Sequence, residues 1–475
     1  MPLLLFRALR SGTWKITTTT LAVAALVLGL LSTSAQAQTA NPPVAQPAGD
    51  AQAQPASRPV AQPAGESDKG LQISPLLVGN NAWYNPSPAV FQASAGAGLK
   101  LVRIGGNAYR DMPSTAQLET WVNEIKAIGA EPMIQVTGTD PVAAADLVRY
   151  FNVTTHNTVK YWNIGNEPWC NSGQPSDLDA LAQTVARYVK ANSSAMKDVD
   201  SNIQIFAPDE CDWLDTMYAD LLGGSADITG KDAHNHYYID GVSFHRYPQW
   251  GNMDINLTTD AVNDLVDRFK KAKVAVDRVN AEKDRHGTDA LQWGIGEFNQ
   301  WNGALVCQWD NGQFFAQVYG AAMKYGATYA ATWSMLESTD NPCGPTDYGF
   351  LNSDMTPRST YLHMQMVSQN FSGRYADGTS SVPGAIRAYG SVDRGRTSVM
   401  LLNIGDTAQD CTVRLNTDAT GASGCAVTIA ADQKVTYNQA IGAHTSMVLV
   451  FGANGHLAKR VTYSNTSSAP VTETF

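Results

Sequence analysis

From Ile73 to about Phe371, short apolar runs alternate with longer segments in which apolar residues recur every three or four positions. Candidate strands begin near Leu76, Lys100, Glu131, Lys160, Ile203, Gly241, Gln292 and Tyr329. Between them the helical period runs, for example, over Ala116–Ile128, Ala143–Tyr150, Leu178–Met196, Ala261–Asn280 and Phe314–Tyr325. Eight strands with interleaved helices predict an α/β chain closed into a (β/α)8, or TIM, barrel more naturally than an open sheet. A doubly wound sheet would carry a glycine-rich phosphate loop after its first strand. Here Gly105-Gly106 follows the second run and lacks that fingerprint.

After Phe371 the period changes to two. Alternating runs at Ala385–Ser391, Thr397–Asn403, Thr412–Leu415 and Thr445–Phe451, with Gly and Asp at the turns, predict a small C-terminal β-sandwich. Residues 71–375 are thus assigned to the barrel and 376–475 to the sandwich, which we expect to cap the barrel. Residues 38–70 are rich in Pro, Ala and Gln, and Val44-Ala45-Gln46-Pro47-Ala48-Gly49 recurs as Val60-Ala61-Gln62-Pro63-Ala64-Gly65. Such a segment has too little apolar surface to fold and reads as a linker. Residues 1–37 carry Arg7, Arg10 and Lys15, then the apolar stretch Leu21–Leu31, then Ala35-Gln36-Ala37. This is the pattern of an export signal cleaved after Ala37, too short for the roughly 20 apolar residues of a spanning helix. A secreted, periplasmic or cell-surface protein without stable membrane insertion is expected.

Charge removes one class of partner. The 475 residues carry 43 acidic and 33 basic side chains, a net charge of −10, with no clustered Lys/Arg stripe, so nucleic acid is not an expected partner. Six cysteines in an exported chain suggest complete oxidation. Local spacing favours Cys170 with Cys211, Cys307 with Cys343, and Cys411 with Cys425. No His/Cys clustering tight enough for a metal site is present, and no cofactor is expected.

In a barrel of this kind, reactive groups project from the C-terminal ends of the strands. The fourth run, Tyr161-Trp162-Asn163-Ile164-Gly165, ends in Asn166-Glu167-Pro168-Trp169; the seventh, Trp293-Gly294-Ile295-Gly296, ends in Glu297-Phe298-Asn299. Each delivers one carboxylate to the same rim. Cleavage of a glycosidic bond needs one protonated carboxyl group for the departing oxygen and one ionised group for the oxocarbenium-like carbon. Proximity should raise the pKa of one of the two, so that the pair holds opposite protonation states.

On these residues the whole barrel resembles clan A of the retaining glycoside hydrolases. The resemblance implies that Glu167 is the acid/base and Glu297 the nucleophile, with carboxyl groups about 5 Å apart. It also implies substrate-side roles for residues that match the clan one by one. Arg103, in Val102-Arg103-Ile104-Gly105-Gly106-Asn107, would orient and ionise the nucleophile, with Asn107 beside it. Asn166 would bond the sugar 2-hydroxyl, and His245 and Tyr247 would lie beside the nucleophile. Trp333 would form the aromatic floor, with Trp169 and Trp301 at the rim. The following sandwich and Met355-Thr356-Pro357-Arg358 before the last helix make the chain similar to families 39, 30, 44 and 79 of that clan.

Duller readings stand beside these. Arg103 fits a structural ion pair, His245 a satisfied buried histidine, and Trp333 ordinary core. Asp209, Glu210 and Glu337 are rival carboxylates, of which Glu210 is the strongest. Trp169, Trp213, Trp250, Trp301 and Trp309 fall in segments expected on rim loops, where several aromatic platforms would suit a polysaccharide or oligosaccharide. Endo action on a neutral β-glycan is therefore expected. An exo-acting β-glycosidase such as a β-xylosidase is the enzymatic alternative, and a non-catalytic glycan-binding or matrix protein the alternative from another class.

Overall fold

The protein is described by a computed structural model covering residues 70–475 apart from 83–84, 110–112, 251–254, 302, 338–339 and 416–423. The predicted signal and all but the last residue of the predicted linker lie outside the described residues. These residues belong to one compact unit.

Eight parallel strands close a barrel in sequence order: β1 (Val78–Asn81), β2 (Leu101–Ile104), β3 (Glu131–Val136), β4 (Tyr161–Ile164), β5 (Gln204–Glu210), β6 (Gly241–Arg246), β7 (Gln292–Phe298) and β8 (Ala330–Thr332). Every strand starts within two residues of its predicted position. A helix follows each one: Pro88–Ser94, Thr115–Ala127, Pro141–Val148, Leu178–Lys197, Asp215–Leu221, Asp260–Glu282, Trp309–Tyr325 and Ser359–Ser368. The pattern did not yield the helices Pro88–Ser94 and Asp215–Leu221, which at seven residues span too few turns to show a period. Side-chain caps fix three helix starts: Ser114 accepts from Gln117 N before Thr115–Ala127, and two aspartates cap the next helices. Asp140 accepts from the amides of Val142 and Ala143, with Pro141 in the first turn, and Asp177 accepts from Ala180 N.

The barrel interior is filled in layers. Leu76, Leu101, Met133, Tyr161, Phe206, Tyr329 and Ala331 form an apolar plug. Two residues further along their strands, Leu101, Met133 and Tyr161 give way to Arg103, Gln135 and Asn163, because side chains on one face of a strand repeat every second residue. A polar layer therefore sits directly on the plug. Two strands reach that layer through irregularities. The register slips between Pro208 and Glu210 on β5, and between Ile295 and Phe298 on β7. Ile295 and Phe298 both pack outward against the helices, so the extra residue at the slip turns Glu297 inward.

Mostly antiparallel pairing follows the barrel, with one parallel pair that aligns Cys411 with Cys425. A six-stranded sheet has the order β18-β17-β16-β12-β11-β9, from β9 (Arg374–Ala376), β11 (Ile386–Asp393), β12 (Arg396–Asn403), β16 (Thr445–Phe451), β17 (Leu457–Ser464) and β18 (Val471–Thr474). It faces a four-stranded sheet, β10-β14-β13-β15, from β10 (Gly378–Ser380), β13 (Gln409–Arg414), β14 (Cys425–Ile429) and β15 (Thr436–Ile441). Chain entry also belongs here, since Gln72 bridges Arg374 before the chain enters the barrel. Strands β12 and β16 are buried on both faces. Val399, Leu401, Met447 and Leu449 meet the smaller sheet, while Met400, Leu402, Val448 and Val450 join the barrel's helix-covered core. The sandwich thus shares one face of its larger sheet with the barrel, as a cap does.

At that junction His363 is fully buried. Its Nδ1–H donates to Ser359 O at 2.8 Å, which leaves Nε2 to accept from the Ser446 hydroxyl at 2.8 Å. Burial pushes the imidazole pKa down to about 4, against the weaker upward pull of the Ser359 carbonyl. Because the folded pKa lies below the ordinary value near 6.5, the contribution is complete above that pH and is lost as pH falls towards 4, up to about 3 kcal/mol. Melting temperature measured between neutrality and mild acid should fall more steeply for the wild type than for His363→Gln; parallel curves would remove His363 from this account.

Candidate active site

Arg103 is fully buried at the centre of the polar layer. Its Nε donates to Asn163 Oδ1 at 3.0 Å. Nη1 donates to Asn81 Oδ1 at 2.8 Å and to Glu297 Oε1 at 3.0 Å. Nη2 reaches Gln135 Oε1 at 3.0 Å, Asn166 Oδ1 at 2.6 Å and Asp209 Oδ2 at 2.6 Å. One guanidinium therefore gathers groups from β1, β3, β4, β5 and β7. Gly105 makes room for it, since a Cβ there would fall 2.6 Å from Gln135 Oε1 and 2.9 Å from the guanidinium carbon. Burial works against the charge, but Asp209 and Glu297 outweigh it and raise the Arg103 pKa.

The two glutamates meet across this centre. Glu167 takes left-handed backbone (φ 46°) at the start of a short turn of helix, its amide donating to Asp209 O at 2.8 Å. Its Oε1 accepts from His245 Nδ1 at 3.0 Å and its Oε2 from Asn107 Nδ2 at 3.3 Å. Glu297 accepts from Arg103 through Oε1 and from the Tyr247 hydroxyl through Oε2 at 2.9 Å. His245 Nδ1 is also 3.6 Å from Glu297 Oε2. One oxygen of each glutamate and a nitrogen of His245 lie within 4.8 Å of one another. The Glu167 side chain is 14% exposed and that of Glu297 6%, so Glu167 is the one more open to the cleft.

Behind them, Asp209 and His245 are wholly buried, with His245 Nε2 3.2 Å from Asp209 Oδ2. Burial opposes ionisation of Asp209, but Arg103 and His245 hold its carboxyl down at about 2. Burial likewise opposes a charged His245, but Glu297 and Asp209, with hydrogen bonds to Asp209 and Glu167, lift it to about 10. The surrounding carboxylates thus favour the charged form of His245. Glu297 is raised by burial; His245 and Arg103 pull it back, and the charges of Glu167 and Asp209 add to the rise.

The structure brings most of the predicted residues together. Asn107, Asn166 and Asn171 form one cluster, in which Asn107 Oδ1 accepts from Asn166 Nδ2 at 3.2 Å and from Asn171 Nδ2 at 2.9 Å. Tyr247, Trp301 and Tyr348 pack edge to face or tilted, with centroids 5.7–6.2 Å apart, and Trp333 is buried with Tyr348 and Val306 beside Tyr247. Trp169 and Trp250 meet edge to face at 6.2 Å and keep part of their surface exposed. Trp213 and Trp309 do not serve as rim platforms. Trp213 is buried and stacked on Tyr218 at 4.0 Å, and Trp309 packs against His363 and Tyr463 of the sandwich junction.

Among the rival carboxylates, Glu210 turns away from the cleft. Its oxygens accept the amides of Trp169 and Cys211, and burial lifts it to about 8. Glu337 accepts from Trp333 Nε1 at 3.1 Å and Tyr348 N at 2.8 Å, so it braces the aromatic floor. Asp209 proves central, and sequence reasoning undervalued it because its inward turn depends on the β5 slip. Asn81, Gln135 and Asn163 went unnoticed as well; a polar residue inside an otherwise apolar strand was the available signal. All three expected disulfides form, with Cα separations of 6.3 Å (Cys170–Cys211), 5.8 Å (Cys307–Cys343) and 4.5 Å (Cys411–Cys425). Cys170–Cys211 ties the β4 end that carries Glu167 to the β5 end that carries Asp209.

No family model matches the chain, and no curated protein matches it in sequence. Solved structures share its fold. AbfB, a family 51 α-L-arabinofuranosidase from Bifidobacterium longum, superposes with a TM-score of 0.58 at 16% identity, over 80% of this chain and 97% of that one. A GH30 endoxylanase from Clostridium papyrosolvens C71 gives 0.54 at 14% identity, over 81% and 97%. A family 39 glycoside hydrolase from Bacteroides cellulosilyticus WH2 gives 0.53 at 16% identity, over 75% and 79%. Three of the families that the motifs pointed to, 30, 39 and 44, thus include proteins of this architecture, together with family 51, which the motifs did not suggest.

Arg103→Lys tests the centre. A single ammonium keeps the charge but cannot reproduce a planar fork that serves five acceptors and pairs with Asp209. The variant should lose stability by about 3 kcal/mol or more in chemical denaturation, as expected when a buried charge network loses a member. Denaturation within about 0.5 kcal/mol of the wild type would contradict the proposed dependence.

Proposed function

We propose that the protein is a retaining glycoside hydrolase that cleaves a polysaccharide or oligosaccharide by double displacement, with Glu297 as nucleophile and Glu167 as acid/base. The observation that carries the reading is the spacing of the two carboxylates, with oxygens within 4.8 Å. Retaining enzymes hold their carboxyl groups about 5–5.5 Å apart, whereas inverting enzymes need about 6.5–9.5 Å to admit a water.

The environments support these roles. Glu297 is gripped by Arg103 and Tyr247, which fixes an oxygen for attack on the anomeric carbon, and the positive charges of His245 and Arg103 act against the burial that raises its pKa. As the Glu297 Oε–carbon bond forms and the glycosidic bond breaks, Glu167 gives its proton to the leaving oxygen. Glu167 then takes a proton from the incoming water, which displaces Glu297 and restores the original configuration. The asparagine cluster beside Glu167 offers donors and acceptors for sugar hydroxyls, and Trp333 with Trp301 offers apolar faces for a pyranose ring.

Endo action on a neutral β-glycan is the preferred form. An open groove of about 560 Å³ lined by Asn166, Pro168, Asn171, Thr139 and Arg187 offers room for further sugar units. Exo action, for example on β-xylosides, is the second reading; because an α-L-arabinofuranosidase shares the fold, terminal furanosides belong in its test as well. Export fits three disulfides, which persist in oxidising compartments. Among the described residues no helix is long and apolar enough to cross a membrane.

Reducing-end release from β-glucans, xylans, mannans, galactans, arabinan and bacterial exopolysaccharides, together with aryl glycosides, should be seen with wild type and vanish with Glu297→Ala. Glu167→Gln should spare aryl glycosides with good leaving groups more than natural glycans, because the proton it supplies matters less there. Early product followed by proton NMR should keep the anomeric configuration; inversion, or activity surviving Glu297→Ala, would overturn the assignment. Glycan binding without cleavage would favour the matrix-protein reading.

A further inference from the structure

Asp209 lies deeper than either glutamate, with no solvent exposure. It makes contacts in two directions. Oδ2 is 2.6 Å from Arg103 Nη2 and 3.2 Å from His245 Nε2. The far side of each cation meets a glutamate, Arg103 meeting Glu297 at 3.0 Å and His245 meeting Glu167 at 3.0 Å and Glu297 at 3.6 Å. Gly296 keeps the space open, because a Cβ there would collide with Asp209 Oδ1 and stand 3.0 Å from His245 Nε2.

We propose that Asp209 is a positioning residue that holds His245 and Arg103 as cations behind the two glutamates, so that the Nδ1–H of His245 serves whichever glutamate is anionic. The charges support this. Before attack, Arg103 and His245 are positive, Asp209 and Glu297 negative, and the transferable proton is on Glu167, which sums to zero. When the Glu297–carbon bond has formed, Glu297 is an uncharged ester and Glu167, its proton gone to the leaving oxygen, is the carboxylate; the sum is again zero. Negative charge has moved from one side of His245 to the other. A buried imidazolium within reach of both stabilises either arrangement without any rearrangement of solvent, which is preorganised electrostatic stabilisation. A neutral imidazole in the same place could donate from only one nitrogen, and Asp209 would compete for that proton.

The groups facing His245 are Asp209 on β5, Glu167 at the end of β4 and Glu297 on β7, with Glu210 adding a weaker field from β5. Of the three carboxylates within 3.6 Å of the ring, Asp209 is the one that the reaction leaves unchanged, so it is the one that can keep the ring charged throughout.

Nitrogen-15 NMR of histidine-labelled protein provides the test, with the His245 signals assigned by their loss in His245→Gln. In the wild type both ring nitrogens should remain protonated from about pH 5 to about pH 9. In Asp209→Asn the ring should titrate inside that window, and kcat should fall by roughly 10²–10⁴-fold with KM little changed, on aryl glycosides as well as on natural glycans. A merely structural Asp209 would lower the melting temperature and leave the His245 titration unchanged, which would overturn the proposal. If Asp209→Asn does not fold, the wild-type spectrum alone decides, since a neutral His245 at pH 7 contradicts it. The kinetic arm rests on the hydrolase reading, whereas the NMR arm does not, so absence of glycan cleavage with a protonated His245 would sink the former and leave the latter standing.

Discussion

A guanidinium sealed inside the barrel is the constraint on which the rest of this structure depends. Moving such a charge out of water costs several kcal/mol unless every donor finds an acceptor and the charge finds an opposite. Arg103 meets both conditions, with two carboxylates and four amide oxygens around it. Satisfying it dictates otherwise unfavourable choices: amide side chains on β1, β3 and β4, a carboxylate brought inward on β5 and another on β7. Each reaches Arg103 from a different strand, so closing the barrel and assembling the site are the same event.

The electrostatic layout follows from that arrangement. Asp209 and Glu297 keep Arg103 charged; Arg103 and His245 keep Asp209 ionised; Asp209 and Glu297 keep His245 protonated. These are mutual dependences, and removing a member changes the protonation state of the others as well as their positions. The outer shell works to the same end. Arg246, the residue after His245, points away from the cleft and pairs with Asp212 at 2.9 Å and Asp264 at 2.6 Å, fixing β6 to the loop after β5 and to the helix that follows β6. Glu337 fixes the Trp333 indole, and Cys170–Cys211 fixes the two strand ends that carry Glu167 and Asp209.

Much of the fold was legible because buried parallel strands are short, apolar and separated by amphipathic helices, a pattern that survives without knowledge of contacts. The same alternation exposed Glu167 and Glu297, since each ends an apolar run. The disulfide partners were legible because each pair closes a short loop. What stayed hidden depended on one-residue irregularities or on ambiguous residue types. Asp209 looked like one of several acidic residues because only the slip on β5 turns it inward. Trp213 and Trp309 share the amphipathic character of true platform residues, and nothing local distinguishes a ring stacked on Tyr218 from one awaiting a sugar. Strands such as β14 and β15 alternate small and polar residues too weakly to stand out from turns.

The claim that most of this account serves is that the buried cations prepare Glu297, and no other carboxylate, for covalent attack. Incubation with a set of activated 2-deoxy-2-fluoro glycosides, followed by peptic digestion and mass spectrometry, addresses it directly, because the fluorine slows both formation and hydrolysis of the glycosyl-enzyme while the good leaving group restores formation, so that the intermediate accumulates. The account predicts one sugar per chain, attached to the peptide that contains Glu297. A label on Glu167, Glu210 or Glu337 would contradict it.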